Sequence, residues 1–147
     1  MKLSIGLIFL AAILWAENKE ISITIDDPEV TEAPLFSARE RNQKILAALD
    51  QHKVKAALFV CGMRIDSYAG KALLTEWDKK GHLIANHSYS HLYFPAKKNT
   101  LEVFRNDFKN VEPLISGFKN FTKLFRFPYL KEGDTQEKRE AATRWAT

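Results

Sequence analysis

The chain has 147 residues, 46% of them hydrophobic and 12% aromatic, which suffices for one domain with a core and is too few for two. Charged residues make up 27% with both signs interspersed, and the net charge of +4 gathers into no basic stripe, so no nucleic-acid partner is expected. A lone cysteine, Cys61, excludes an intrachain disulfide, so stability must come from packing.

Lys2, the almost wholly apolar run Leu3 to Trp15, and the small Ala16 before polar Glu17 read as a secretory signal over residues 1–16. That run is shorter than the roughly 20 residues that cross a bilayer, so no stable membrane span is expected after its removal. The remaining residues 17–147 are then expected to be secreted or periplasmic.

Glu20 to Ile25 is a short β-branched run that stops at Asp26-Asp27-Pro28, a strand entering a loop. Ser37-Ala38-Arg39-Glu40 has the form of a capping box and predicts a helix to about His52 with Ile45, Ala48 and Leu49 on one face. Lys55 to Cys61 is continuously apolar, as in a parallel strand covered on both faces, and Cys61 reads as a small buried hydrophobe. A helix is predicted over Asp66 to Lys80, ending at Gly81, and a third strand over His82 to Asn86. Asn99 or Thr100 caps a helix in which Leu101, Phe104, Phe108 and Val111 recur at helical spacing. Lys123 to Phe127 is the fourth predicted strand, followed by Pro128-Tyr129, and a polar helix runs from about Thr135 to the chain end.

Strand, loop and helix repeated four times predict an α/β fold with a parallel sheet, either open and doubly wound or part of a barrel. The polar residues collect at one end of it. Asp26-Asp27, His87/His91 and Arg126 all fall at carboxyl ends of predicted strands, the face where such folds place their chemistry.

His87 and His91 are four residues apart, a spacing that in a helical turn lets both imidazoles share one cation. Alone, this pattern arises easily by chance in a chain with four histidines, and Ser88 and Ser90 would then simply fix the loop by bonding its backbone. Adjacent carboxylates at Asp26-Asp27 repel each other and need a nearby cation or arginine, although an Asx turn before Pro28 also explains an isolated pair. The shared strand-end location shifts the balance toward a metal site. Two histidines with one carboxylate leave coordination positions open for water and substrate, as catalytic rather than structural sites do. Arg126 is the expected partner that keeps a carboxylate such as Asp26 ionised. Phe127 and Tyr129 could equally be core, with Pro128 ending the strand.

Thr24-Ile25-Asp26-Asp27, His87-Ser88-Tyr89-Ser90-His91 and Arg126-Phe127-Pro128-Tyr129 resemble the first three motifs of the NodB-type polysaccharide deacetylases, carbohydrate esterase family 4, in the same order. The resemblance covers the chain from about Glu20 to Tyr129. It implies an incomplete, distorted (β/α) barrel made of the first four βα units. It also implies that Asp27, His87 and His91 bind a divalent metal, usually zinc with cobalt an alternative, and that Asp26 is the base that deprotonates the attacking water. Arg126 would hold Asp26, the backbone around Tyr129 would stabilise the oxyanion, and Pro128 and Tyr129 would shape the substrate groove.

Two departures accompany the match. Pro28 stands where the family usually has glycine, fixing a dihedral angle beside the metal loop. The later Asp/Trp and Leu-x-His motifs, the latter carrying the family's general acid, have no counterpart, so residues 17–147 read as the amino-terminal part of a deacetylase domain. The implied activity is hydrolysis of acetyl groups from an N-acetylated carbohydrate polymer such as chitin or peptidoglycan. A catalytically incomplete carbohydrate-binding fragment or pseudoenzyme, and a hydrolase of the same fold acting on acetyl xylan or a small amide, are the alternatives.

Overall fold

The computed structural model describes residues 20–146; the signal reading of residues 1–16 lies outside them. Four strands, β1 (Ile23–Asp26), β2 (Ala56–Val60), β3 (Leu83–Asn86) and β4 (Phe121–Phe125), form a parallel sheet in the order β1-β2-β3-β4. Every crossover therefore steps one strand in the same direction. A doubly wound sheet reverses its strand order at a switch point, so the open alternative is set aside in favour of the first part of a barrel. Register places Asp26 opposite Phe59, Val60 opposite Asn86 and Asn86 opposite Phe125. The four carboxyl ends thus line up in one row.

Strand β4 begins and ends two residues before the expected Lys123–Phe127. Phe121 belongs to the main core and pulls the strand start back, whereas Phe127 turns away into a second cluster of phenylalanines.

Helix α1 (Ala38–Gln51) begins at the capping box read from the sequence. The Glu40 amide donates to Ser37 Oγ at 3.2 Å, and the Ser37 amide donates to the Glu40 carboxylate at 2.9 Å. Its buried face is Asn42, Leu46 and Leu49, with Ile45 half-buried and Ala48 exposed, a stripe rotated from the expected one. The helix expected over Asp66–Lys80 is α3 (Tyr68–Lys79), and an unexpected short helix, α2 (Gly62–Ile65), precedes it. Ser67 separates them because its hydroxyl accepts from the Gly70 amide at 3.0 Å, capping α3 where a continuous helix would have run. Beyond α3, Gly81 takes φ +75, the left-handed conformation that ends the helix without a Cβ penalty. Thr100 caps α4 (Leu101–Lys109), and α5 (Glu112–Ile115) and α6 (Gln136–Ala146) complete the order.

The main core lies between the sheet and its helices: Leu46 and Leu49 of α1, Leu58 and Val60 of β2, Leu74 and Trp77 of α3, Ile84 of β3, and Val111 and Ile115. Full burial of each such side chain contributes about 1.5–3 kcal/mol. Cys61 is fully buried among them, and desolvation raises its thiol pKa. A second cluster stacks Phe94, Phe104 and Phe127 with Ala142 of α6. The opposite sheet face is less covered, with Leu83 41% and Leu124 50% exposed. Among the described residues, no helix is long and apolar enough to cross a membrane.

Candidate metal centre

Asp26 closes β1, and the next residue turns sharply: Asp27 has φ 53 while its amide donates to the Phe59 carbonyl at 3.1 Å. Aspartate tolerates this left-handed conformation better than most residues. The Pro28 that follows is buried, and the loop it stiffens is held by side chains rather than left to its own preferences. The Glu29 carboxylate accepts from the amides of Val30 (2.9 Å) and Thr31 (3.1 Å) and from Arg64 Nη1 (2.9 Å). Arg41 Nη2 donates to the carbonyls of Glu29 and Thr31, both at 3.0 Å. Neither arginine stands out in the sequence, since each is one basic residue on a helix.

His87 to His91 form a loop, not the helical turn their spacing suggested. Ser88 (φ 65) and His91 (φ 55) are left-handed, so the two rings converge, with centroids 5.1 Å apart, by a local reversal of the chain. The Ser88 hydroxyl does not fix it as expected, being buried without a hydrogen bond. Asp107 of α4 holds the loop instead, its carboxylate accepting from the amides of Tyr89 and Ser90, each at 3.1 Å. Asn86 Oδ1 accepts from the Ser88 amide at 2.8 Å, and the Gly62 amide donates to the Ser88 carbonyl at 3.0 Å. Glycine is required at position 62, where a Cβ would sit 2.5 Å from Tyr89 Cδ2.

These two loops bring Asp27, His87 and His91 together, one ligand atom from each lying within 4.8 Å of the others. His91 Nε2 is 3.3 Å from Asp27 Oδ2, and His87 Nε2 is 4.0 Å from Asp26 Oδ2. His87 is buried, which lowers its pKa against the raising influence of the Arg126 carbonyl and the two aspartates. It is therefore neutral at neutral pH, and the 4.0 Å spacing is not an ion pair. Because the Arg126 carbonyl 2.8 Å from Nδ1 can only accept, Nδ1 carries the hydrogen and Nε2 presents a lone pair. Asp27 Oδ1 is buried without a hydrogen bond, with Arg64 Nε 3.4 Å away as an ion-pair partner. Two imidazole nitrogens and one carboxylate, one oxygen of it orphaned, suit a divalent cation such as zinc.

Beside this cluster, Arg126 Nη1 donates to Asp26 Oδ1 at 2.7 Å and to Thr24 Oγ1 at 3.0 Å. Its guanidinium lies 4.2 Å over the Phe59 ring, which fixes the fork by stacking as well as by charge. Pro128 is buried at the start of a 3-10 turn through Leu130, in which Tyr129 (φ 58) and Leu130 (φ 55) are both left-handed. The Tyr129 ring is 58% exposed and packs edge-on to His91, centroids 4.6 Å apart, so it is not the core residue the sequence also allowed. Of the six non-glycine residues with positive φ among those described, five (Asp27, Ser88, His91, Tyr129 and Leu130) are in these three loops. Strain of this kind persists where surrounding structure over-determines it, which is typical of functional sites.

The sequence model of the polysaccharide deacetylase family matches residues 16–145. A peptidoglycan-N-acetylglucosamine deacetylase of Bacillus cereus is 32% identical over 130 residues, 87% of this chain and 40% of that protein. The chain spans less than half the length of the curated relatives first matched. Among solved structures, peptidoglycan deacetylase PdaC from Bacillus subtilis superposes with a TM-score of 0.62 at 26% identity, covering 84% of this chain and 55% of that one. A CE4 family pseudoenzyme from Bacillus anthracis gives 0.68 at 19% identity, covering 89% and 42%; at that identity the likeness speaks for the fold alone.

Proposed function

The chain belongs to the polysaccharide deacetylase family, carbohydrate esterase family 4, and from that premise we propose that its strand-end cluster serves metal-dependent removal of acetyl groups from an N-acetylated sugar polymer of the peptidoglycan or chitin type. The observation that carries this reading is the convergence of Asp27, His87 and His91 within 4.8 Å beside an arginine-held Asp26. Such a substrate is a wall polymer, which places the work outside the cytoplasm.

Asp27, His87 and His91 would hold the divalent cation, zinc or cobalt. When bound, that ion polarises the acetyl carbonyl and lowers the pKa of the attacking water. The chain's own residues supply the rest. Arg126 holds and aims Asp26, with Oδ1 engaged and Oδ2 turned toward His87, so that Oδ2 is the atom that takes the water's proton. His87 stays neutral by burial and is oriented by the Arg126 carbonyl. The main chain around Tyr129 faces the oxyanion, and Pro128 with the Tyr129 ring walls the groove.

A second reading, a binding fragment or pseudoenzyme, is favoured by the positions of the remaining histidines. His52 caps the end of α1 and His82 precedes β3 at the opposite end of the sheet, so neither can donate a proton to the leaving amine. One experiment weighs both readings: acetate release from N-acetylglucosamine oligomers, peptidoglycan and acetyl xylan after chelation and after adding zinc back. Zinc-restored release that is lost in Asp26→Asn supports the deacetylase. Zinc and oligosaccharide binding without release supports the binding fragment. Metal binding by Asp27→Ala and His87→Ala as tight as in the parent overturns the metal site itself.

A further inference from the structure

Beside the metal cluster, two tyrosines stand in the open. Tyr93 is 46% and Tyr129 58% exposed, and their rings meet at 83° with centroids 5.4 Å apart. Large aromatic side chains are costly to hold in water, and nothing about either ring is accidental in its support. The chain alternates outward and inward here: Tyr93 is followed by the fully buried Phe94, and Tyr129 closely follows Phe127. Phe94 and Phe127 lie nearly parallel, 13° apart with centroids at 6.5 Å, with Phe104 stacked against both. The stack therefore holds in place the two chain segments that carry the outward rings. A second restraint acts on the Tyr93 backbone, whose carbonyl accepts from the Nδ2 of buried Asn99 at 2.7 Å and from the Ala96 amide at 3.2 Å. The Tyr129 ring continues from this corner to His91, so the corner and the metal cluster form one surface.

We propose that Tyr93 and Tyr129 form a stacking corner for a pyranose ring of the polymer adjacent to the sugar whose acetyl group is cleaved, which makes Tyr93 a substrate-binding residue. This rests on the deacetylase reading of the site and adds to it a subsite that favours oligomers over single sugars. A pyranose with equatorial substituents has two flat C–H faces and a rim of hydroxyls. One tyrosine face covers the C–H face, and the second ring, set at nearly a right angle, leaves room for one orientation and offers a phenolic oxygen to the rim. A protein or lipid surface would call for a continuous apolar patch; two rings at a right angle with polar tips suit a sugar.

The test is the affinity of the zinc-loaded chain for N-acetylglucosamine and for its pentamer, measured by calorimetry. Tyr93→Ala is expected to weaken pentamer binding about tenfold, the loss from uncovering one ring face, with a much smaller effect on the monosaccharide. Tyr93→Leu keeps the apolar volume without a flat face and is expected to behave like Tyr93→Ala, whereas Tyr93→Phe keeps most of the affinity; thermal melting establishes that each is folded. Tyr68, 92% exposed at the start of α3, is the control, and Tyr68→Ala binds as the parent does. If Tyr93→Ala and Tyr93→Leu bind the pentamer as tightly as Tyr93→Phe, the stacking corner is wrong while the deacetylase reading stands. A parent chain that binds the pentamer no better than the monosaccharide also overturns the corner, and one that binds neither overturns the polymer-directed reading with it.

Discussion

His87 donates its Nδ1 hydrogen to the main-chain carbonyl of Arg126 across 2.8 Å, which ties a candidate metal ligand to the residue that holds the candidate base. The contact uses only the backbone of Arg126, while the side chain of the same residue reaches Asp26. Ligand orientation and base orientation are thus carried by different atoms of one residue and can be separated by substitution.

Arg126→Met removes the guanidinium and leaves the carbonyl. Zinc affinity is expected to stay within about twofold of the parent, because His87 keeps its partner. Acetate release is expected to fall by about a hundredfold or more, the usual worth of a positioned general base. Titration with zinc alongside a steady-state acetate assay checks both. Equal losses in the two would mean that Arg126 acts by holding the loop, not Asp26.

Arg64 gives a complementary case. Its Nε lies 3.4 Å from Asp27 Oδ1 and its Nη1 2.9 Å from Glu29 Oε2, so it braces the loop in which Pro28 sits beside a left-handed Asp27. Arg64→Met is expected to weaken zinc binding by about tenfold, the range seen when a partner behind a ligand is lost. The melting temperature should change little, since a partly exposed ion pair is worth about 1 kcal/mol or less. Unchanged metal affinity would show that Pro28 and the Arg41 contacts suffice to shape the loop.

The three candidate ligands give the largest expected effect. Asp27→Ala, His87→Ala and His91→Ala each remove one of three donors and are expected to lower zinc affinity by about a hundredfold or more. Competition against a chromophoric chelator measures this, and a variant that retains parental affinity removes that residue from the donor set.

Much of this architecture is legible in the residue order. The capping box at Ser37, the apolar run of β2 and the aligned strand ends all follow from local chemistry. The geometry of the His87–His91 loop does not: the spacing suggests a helical turn, whereas Asp107, sixteen residues on from His91, holds a chain reversal with two left-handed residues. Arg41 and Arg64 are unreadable for the same reason. Their partners are carbonyls and carboxylates on another segment, and only the folded sheet sets those distances. The position of Tyr93 outside the stacked phenylalanines is likewise a tertiary fact, since alternation of two aromatic residues alone does not say which one faces in.

A second buried histidine lies at the sheet's far end. His82 is fully buried, its Nδ1 accepts from the Ala56 amide at 3.1 Å, and its Nε2 has no hydrogen bond. Burial lowers its pKa, helped by Lys55 and Lys80 and opposed by Asp50. The folded state thus resists a proton that the unfolded chain accepts near pH 6.5. Above that value both states are neutral and the full stability is present. As pH falls below it, the unfolded state gains the proton first, and stability drops by up to about 1.4 kcal/mol per unit until the folded pKa is reached. His87, also held neutral by burial, contributes in the same direction in the metal-free chain, so the parent slope contains both. His82→Asn keeps an acceptor for the Ala56 amide and removes the titration. Urea unfolding between pH 7.5 and 5 is expected to show a shallower pH dependence in this variant than in the parent. Equal slopes would mean that His82 takes up its proton in the folded state as readily as in the unfolded chain, the Ala56 contact to Nδ1 being given up at no cost.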